Sequence, residues 1–460
     1  MTQTEGGRQE EAELPALGKA FFREVEEALA ARDVERINAV IENLHPADAA
    51  DLLEALQQEE RRQLLELVGR NLEPETLSYL EESLRDQVAA VLGPQLVANI
   101  LQLLESDDAL AFFEDLDEEL RAQILARMPV TIRRLLQEGL TYPEDSAGRL
   151  MQREMVVVPS IWTVGETIDY MRSHRKEMPH DFYDLYVVDP RYRPIGKLPL
   201  SRVMRNTRPV RILTLMDEEF RSIPVDMDQE EVAWLFKRYS LLSAPVVDDA
   251  GRAVGVITID DILDVVEEEA EEDLLRLGGV GESDISESAR ATAPRRIRWL
   301  IVTLFNTIVA SLVISRFAGT IEEIVALAIL MPIVAAMGGN AGMQVVTVTV
   351  RAIATKSLNP RNTIKVVGKE MVVGLANGLV FAAIMGTIAG VWFGRLDLAL
   401  VLAAAMTFNM IWAGMAGTLI PLSLDRLGFD PAVAAGPFLT TTTDVLGFFV
   451  FLGLATEFLL

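Results

Sequence analysis

"AILMPIVAAMGGNAGMQVVTVTV", residues 328–350, is about as long as a membrane span. It is interrupted near its middle by Gly338-Gly339-Asn340-Ala341-Gly342 and by Gln344. A run of about 20 apolar residues is enough to cross a bilayer. Lipid offers no partner to a polar group, so a polar stretch at that depth faces protein or a water-filled path. Two readings are open. The small residues let a neighbouring helix approach closely, or the glycines break the helix and free backbone carbonyls to line a cavity.

Four more segments are as long and as apolar. With 324–350 they give five spans, the others running roughly 299–317, 366–393, 398–424 and 437–460. Basic "PRRIR" (294–298) precedes the first span, and Arg351, Lys356, Arg361, Lys365 and Lys369 lie between or beside the second and third. The opposite loops carry Glu322, Glu323 and Asp397. Cytoplasmic loops are the basic ones, so everything before the first span is expected in the cytoplasm. With an odd number of spans the C-terminus falls outside.

Asp444, in "GPFLTTTTDVLGFF" (436–449), is the carboxylate set deepest in a span. Such a residue costs ~2.5–3.5 kcal/mol on insertion scales, so it faces a bundle interior or an aqueous path. Threonines 440–443 precede it, and no lysine or arginine is near it in sequence. An oxygen-only, negative site suits a hard cation such as Mg²⁺ or Ca²⁺.

The two halves of the 460-residue chain differ in kind. Residues 295–460 hold 11 Lys+Arg and 8 Asp+Glu, a net of +3, whereas residues 1–294 hold 31 and 60, a net of −29. That acidity argues against nucleic acid and anionic surfaces as partners, and favours cations or simple solubility. Cysteine is absent, which removes thiolate metal sites and cysteine nucleophiles. The three histidines, His45, His174 and His180, are scattered. The polar, acidic N-terminus does not read as a signal peptide. No phosphate-binding loop, triad or metal-hydrolase spacing is present, so no enzyme is expected.

Two internal repeats of about 60 residues organise the acidic half. "PADAADLLEALQQEERRQLLEL" (46–67) resembles "SDDALAFFEDLDEELRAQILAR" (106–127), with apolar residues at helical spacing. Residues 1–140 are therefore expected to form a superhelical, all-α N domain. "LYVVDPRYRPIGKLPL" (185–200) matches "APVVDDAGRAVGVITI" (244–259), and a helical stretch precedes each. This β-α-β-β-α order, twice, resembles a tandem pair of CBS domains, expected over 141–203 and 204–265. Next, "DDILDVVEEEAEEDLLRLGGVGESD" (260–284) reads as an acidic helix and linker, with Ile262, Leu263, Val266, Ala270 and Leu274 on one side. Like charges three and four residues apart destabilise a helix unless cations neutralise them. This connecting element, 266–294, leads into the membrane half, 295–460.

In this order of parts, and in "GGNAGMQ" (338–344) and "DPAVAAGPFLTTTTDV" (430–445), the chain resembles the MgtE family of magnesium channels. The resemblance implies a multidomain membrane protein of the inner (plasma) membrane: helical N domain, α/β CBS pair, connecting plug helix and five transmembrane helices. It implies a homodimer in the lipid bilayer that takes up Mg²⁺ and is closed by cytosolic Mg²⁺. It assigns Asp444, Asn340, Gln344 and Thr347 to the pore. It assigns Asp228, Glu230, Asp261, Asp264, Glu269, Glu272, Asp273 and Asp430 to regulation. Members of the family bind ATP at a Leu-Arg-Asp pattern in the first CBS unit. Here Ser201 and Arg202 stand in that pattern, which removes the carboxylate expected on the ribose and argues against ATP. An ion-coupled exporter of divalent cations with a CBS regulatory module is the alternative function.

Overall fold

The computed structural model describes residues 18–175, 178–179, 181–278, 289–358 and 362–460. The N-terminal stretch, His180, most of the Gly/Ser-rich linker (279–288) and Arg361 lie outside these residues. Two compact units are present, Met1–Glu267 and Glu268–Leu460.

The first unit opens with α1 (Lys19–Ala31), α2 (Val34–Ile41), α3 (Pro46–Ala55), α4 (Gln58–Val68), α5 (Glu82–Leu92), α6 (Pro94–Ile100), α7 (Ser106–Glu114), α8 (Glu118–Leu125) and α9 (Val130–Gly139). The repeat is visible in the core: Leu52, Leu53, Leu64 and Leu65 of α3–α4 and Phe112, Phe113 and Ile124 of α7–α8 are buried in one cluster. Short helices leave many end carbonyls without partners. Arg61, itself buried, serves two of them: its Nε donates to Leu53 O (2.6 Å) and its Nη2 to Leu56 O (2.9 Å), tying α4 to the end of α3. Gly93, at φ +80°, makes the corner between α5 and α6 that a residue with a Cβ would resist.

Then come α10 (Ala147–Leu150), β1 (Val157–Pro159), α11 (Val164–Ser173), β2 (Asp184–Val188), β3 (Pro194–Pro199) and α12 (Leu200–Met204). They are followed by β4 (Ile223–Pro224), α13 (Gln229–Tyr239), β5 (Ser243–Val247), β6 (Ala253–Thr258) and α14 (Ile259–Leu277). The strands form two three-stranded sheets of the same order, each with one parallel and one antiparallel pairing. Both hairpins carry a register shift at the same place, between Val187 and Val188 and between Val246 and Val247. The repeated aspartates explain the turn: Asp189 Oδ1 accepts from the Arg191 and Arg193 amides, and Asp248 Oδ1 from the Ala250 and Arg252 amides.

Packing cuts across the linear boundary expected at 203/204. Ala147 and Met151 are buried with Ile223, Val232, Phe236 and Ile257 in the second sheet's core, while Ile212 is buried in the first. Each unit thus borrows its opening segment from ahead of the other. A sequence repeat shows which strands correspond but not which leading segment closes which core.

The second unit contains α15 (Ala289–Ser315), α16 (Ala318–Glu323), α17 (Ala326–Ala354), α18 (Thr363–Phe393), α19 (Leu396–Arg426) and α20 (Pro431–Leu459). Five of these helices are long and apolar enough to cross a membrane, close to the expected spans. α19 is the most enclosed; Leu398, Leu402, Ala405 and Met406 pack with Leu327, Leu330 and Val334 of α17 and Phe451, Leu452 and Ala455 of α20. α18 approaches α19 almost backbone to backbone, since a Cβ on Gly374 would meet Met410 O and one on Gly414 would meet Glu370 O. Association without a hydrophobic driving force relies on such close contact.

Candidate functional site

α17 runs unbroken through the glycines that open the sequence reading. The expected freeing of backbone carbonyls does not occur, because a helix that packs tightly on its neighbours has no reason to open. The polar stretch divides between two faces. Gly338 and Gly342 are buried, and a Cβ on either would strike Asn409 or Leu439. Gly339 and Asn340 face a cavity of about 980 Å³. The close-packing reading therefore holds on one side of the helix, while the other side lines a cavity without any break in the helix.

The cavity is bounded by α15, α17, α20 and the end of α14. On α20 it takes Gly436, Pro437, Thr440 and Asp444, one helical face at a spacing of about four residues. On α17 it takes Pro332, Ala336, Asn340 and Met343. Among the described residues, no group bonds the carboxylate of Asp444 or the amide of Asn340. Three corrections follow. Gln344 and Thr347 are exposed and do not line the cavity; Gln344 directly follows its last α17 residue, Met343, and Thr347 lies about one turn past it, about 10 Å along the axis from Asn340. Of the four threonines only Thr440 lines it, and all four donate to their own helix, Thr440 at Gly436 O and Pro437 O (both 3.1 Å) and the other three at Pro437 O and Leu439 O (2.7–3.0 Å). Asp444 also has a basic neighbour in space: Arg296 of α15 lines the same cavity.

Behind the cavity wall lies Asn409, buried between the glycines Gly338 and Gly447. Its Nδ2 donates to Val334 O (2.9 Å), and among the described residues its Oδ1 has no partner. The sequence marks Asn409 as a polar residue in a span but not as the junction of three helices.

A second site lies in the first unit, where the start of α14 meets the start of α7. Asp261 caps α14, its Oδ2 accepting from the amide (3.2 Å) and hydroxyl (2.6 Å) of Thr258. Near it are Asp260, Asp264 and, from α7 and the residue before it, Glu105, Asp107 and Asp108. Burial, then Asp108 and Glu154, push Glu105 up to about 7. Burial raises Asp108 to about 6, against the pull of Arg85. Asp261 rises to about 7, through burial against its Thr258 bonds, with Asp260 adding to the rise. Asp107 is raised well above the usual carboxylate range by burial and by Asp261. Crowded carboxylates with too few bases favour protons or cations. Among the described residues no three His, Cys, Asp or Glu side chains form a ready cage for a bare ion. Mg²⁺ keeps several of its waters and needs only one or two direct carboxylates. Sequence reading named Asp261 and Asp264 but missed Glu105, Asp107 and Asp108, whose sequence signal was a helix start in the N-domain repeat.

The remaining acids are placed differently. Asp228 caps α13, accepting from the Glu230 amide (2.9 Å) in that helix's first turn. On α14, Ile262 and Val265 are buried, whereas Leu263, Val266 and Leu274 are exposed. Of the apolar side read from sequence, Ile262 thus faces inward and Leu263, Val266, Ala270 and Leu274 outward. The inner face continues through Glu269, Glu272, Asp273 and Arg276, all partly buried. Asp430 caps α20 by accepting from the Ala432 amide (2.7 Å) and is held by Arg276 of α14 (3.0 Å). At the first CBS unit's departure, Arg202 donates to Asp217 and to Leu215 O (both 2.7 Å), so a guanidinium already paired stands where a ribose carboxylate was sought.

The comparisons with known proteins fit this geometry. The divalent cation transporter family, MgtE, matches residues 331–454, the MgtE intracellular N domain 44–145 and the CBS domain 212–268. The magnesium transporter MgtE of Bacillus subtilis is 31% identical over 428 residues, 93% of this chain and 94% of the relative. That of Thermus thermophilus is 32% identical over 447 residues, 94% and 97% of the two chains. A crystal structure of the cytosolic domain of the Mg²⁺ channel MgtE in complex with ATP superposes with a TM-score of 0.50 at 31% identity, over 53% of this chain and 99% of that one. The chain belongs to the MgtE family of divalent cation transporters, as a multi-pass membrane protein with a helical N domain and a CBS pair.

Proposed function

We propose that this protein is a Mg²⁺ channel that takes the ion up across the cell membrane through the path marked by Asp444 and Asn340, and that cytosolic Mg²⁺ closes it. One observation carries the reading: a carboxylate deep in a five-span domain, without a bonded partner among the described residues, faces a roomy cavity whose rim includes Leu277 and Gly278 at the end of the acidic helix α14. A hydrated divalent ion needs room, oxygen donors and a negative charge, and the cavity offers all three. The residue charge distribution supports a cytoplasmic first unit and an external C-terminus. Exposed Leu263, Val266 and Leu274 on α14 support a homodimer, a second copy being the natural cover for such a stripe.

Closure follows from charge. With little cytosolic Mg²⁺ the carboxylates of α7 and α14 repel one another, and α14 is free to shift. With more, ions bridge Glu105, Asp107, Asp108, Asp261 and Asp264, steady α14, and hold its far end at the cavity rim. Glu269, Glu272, Asp273 and Asp430 extend the same acid series, with Asp228 and Glu230 on the second CBS unit. Mg²⁺ shifts the balance only by as much as it prefers the closed form. The scheme does not require ATP, and the paired guanidinium of Arg202 disfavours the nucleotide at the first CBS unit.

Mg²⁺ entry into proteoliposomes, without any other ion gradient, tests the reading. Entry in the wild type and its loss in Asp444→Ala are expected; no wild-type entry with internal Mg²⁺ removed would overturn it in favour of a coupled exporter.

A further inference from the structure

The last turn of α14 carries an arginine among acids. One side of the Arg276 guanidinium pairs with Glu272, a turn earlier, and the other with Asp430 at 3.0 Å. Asp430 opens α20, and Leu277, next along α14, packs against the cluster of Val346, Val350, Ala416, Ala432, Ala435 and Leu439. Asp273 completes the group; burial and the charge of Asp430 raise its pKa. Two carboxylates therefore pair with the guanidinium at this junction, and a third, Asp273, lies near Asp430.

We infer that Arg276 is a resident cation that offsets part of the carboxylate repulsion opposing the docking of the end of α14 onto the foot of α20, and so sets how much Mg²⁺ closure requires. The inference rests on the proposed closure by cytosolic Mg²⁺. Docking brings Glu272, Asp273 and Asp430 together, and each added negative charge opposes it. Arg276 offsets part of that repulsion at all times, because a guanidinium does not lose its proton in a protein. The helix ends help: a cation suits the C-terminus of α14 and an anion the N-terminus of α20. Mg²⁺ then neutralises only what Arg276 leaves over. A chain without this arginine would dock by metal alone and close at higher Mg²⁺. The pair is partly exposed, 39% for Arg276 and 34% for Asp430, so its weight is that of a screened ion pair.

The test is the uptake of Mg²⁺ by the full-length protein in proteoliposomes, with internal Mg²⁺ titrated. For Arg276→Gln the half-closing concentration rises about three- to fivefold, while uptake at zero internal Mg²⁺ stays at the wild-type level. Arg276→Lys retains a cation and shifts less. Should the glutamine variant be inactive, Arg276→Met keeps the apolar stem packed and repeats the test. Asp430→Asn, which can still cap α20, removes the partner instead, and its shift does not add to that of Arg276→Gln. A half-closing concentration unchanged or lowered in the arginine variants, or additive shifts for the pair, overturns the inference. Failure of the wild type to respond to internal Mg²⁺ is a separate result, which sinks the closure reading itself.

Discussion

The two acidic sites of this protein are built on opposite principles. In the membrane unit one carboxylate, Asp444, stands in a large cavity with no bonded partner among the described residues. In the first unit at least six carboxylates crowd the facing ends of α7 and α14, four of them with strongly raised pKa values. A lone acid in an open cavity leaves its oxygens available to each passing ion. A crowd of acids cannot keep all its charges without help, and its arrangement therefore depends on what cations are present. The first design suits passage and the second suits sensing.

The sharpest way to break this comparison is Asp444→Asn, which keeps the shape and removes the charge. Uptake is expected to fall by about tenfold or more, equivalent to at least ~1.4 kcal/mol, with the Mg²⁺ dependence of closure untouched. Retained uptake would show that the path does not depend on its one deep carboxylate. Next in size is the wall behind the cavity. Gly447→Leu forces a side chain into the space held by Asn409, and overpacking of this kind costs ~1–3 kcal/mol. A lowered Tm in detergent is expected, whereas Gly339→Leu, on the open side, should leave Tm near wild type and obstruct uptake instead. Equal effects on Tm would deny that the glycines serve two faces.

A smaller effect tests the crowd. Glu105, Asp108 and Asp261 bind protons more tightly folded than unfolded, so their contribution to stability is present below about pH 4 and is lost as pH rises through about 6–7. Mg²⁺ should replace the lost protons. The rise in Tm on adding Mg²⁺ to the full-length protein is therefore expected to be larger at about pH 7.5 than at about pH 5. An equal rise at both would remove the sensing role from this cluster. The smallest expected effect is that of ATP, which should leave the half-closing Mg²⁺ concentration unchanged; a shift would mean that the Arg202–Asp217 pair opens to admit the nucleotide.

Much of this was legible in the sequence where a local pattern sufficed. The five spans needed only length and apolarity, and the CBS repeat announced itself through Asp189 and Asp248, whose turn geometry is local. Asp444 stood out because a charge in a span is costly. What the sequence concealed depends on which element meets which. Asp107 and Asp108 look like a helix start until α14 is seen opposite them. Arg296 is one more basic residue before a span until it is found lining the cavity of Asp444. The faces of α14 do not follow its apolar pattern: Ile262 is buried but Leu263 and Leu274 are exposed, while Glu269, Glu272 and Asp273 are partly buried.

One experiment measures passage and sensing together. Mg²⁺ uptake into proteoliposomes is recorded across a titration of internal Mg²⁺ for the wild type, Asp444→Asn and the double variant Asp107→Asn with Asp261→Asn. The account predicts that Asp444→Asn loses amplitude, while the double variant keeps its amplitude at zero internal Mg²⁺ and closes only at a higher concentration. A double variant that closes at the wild-type concentration would contradict the assignment of sensing to the crowded acids.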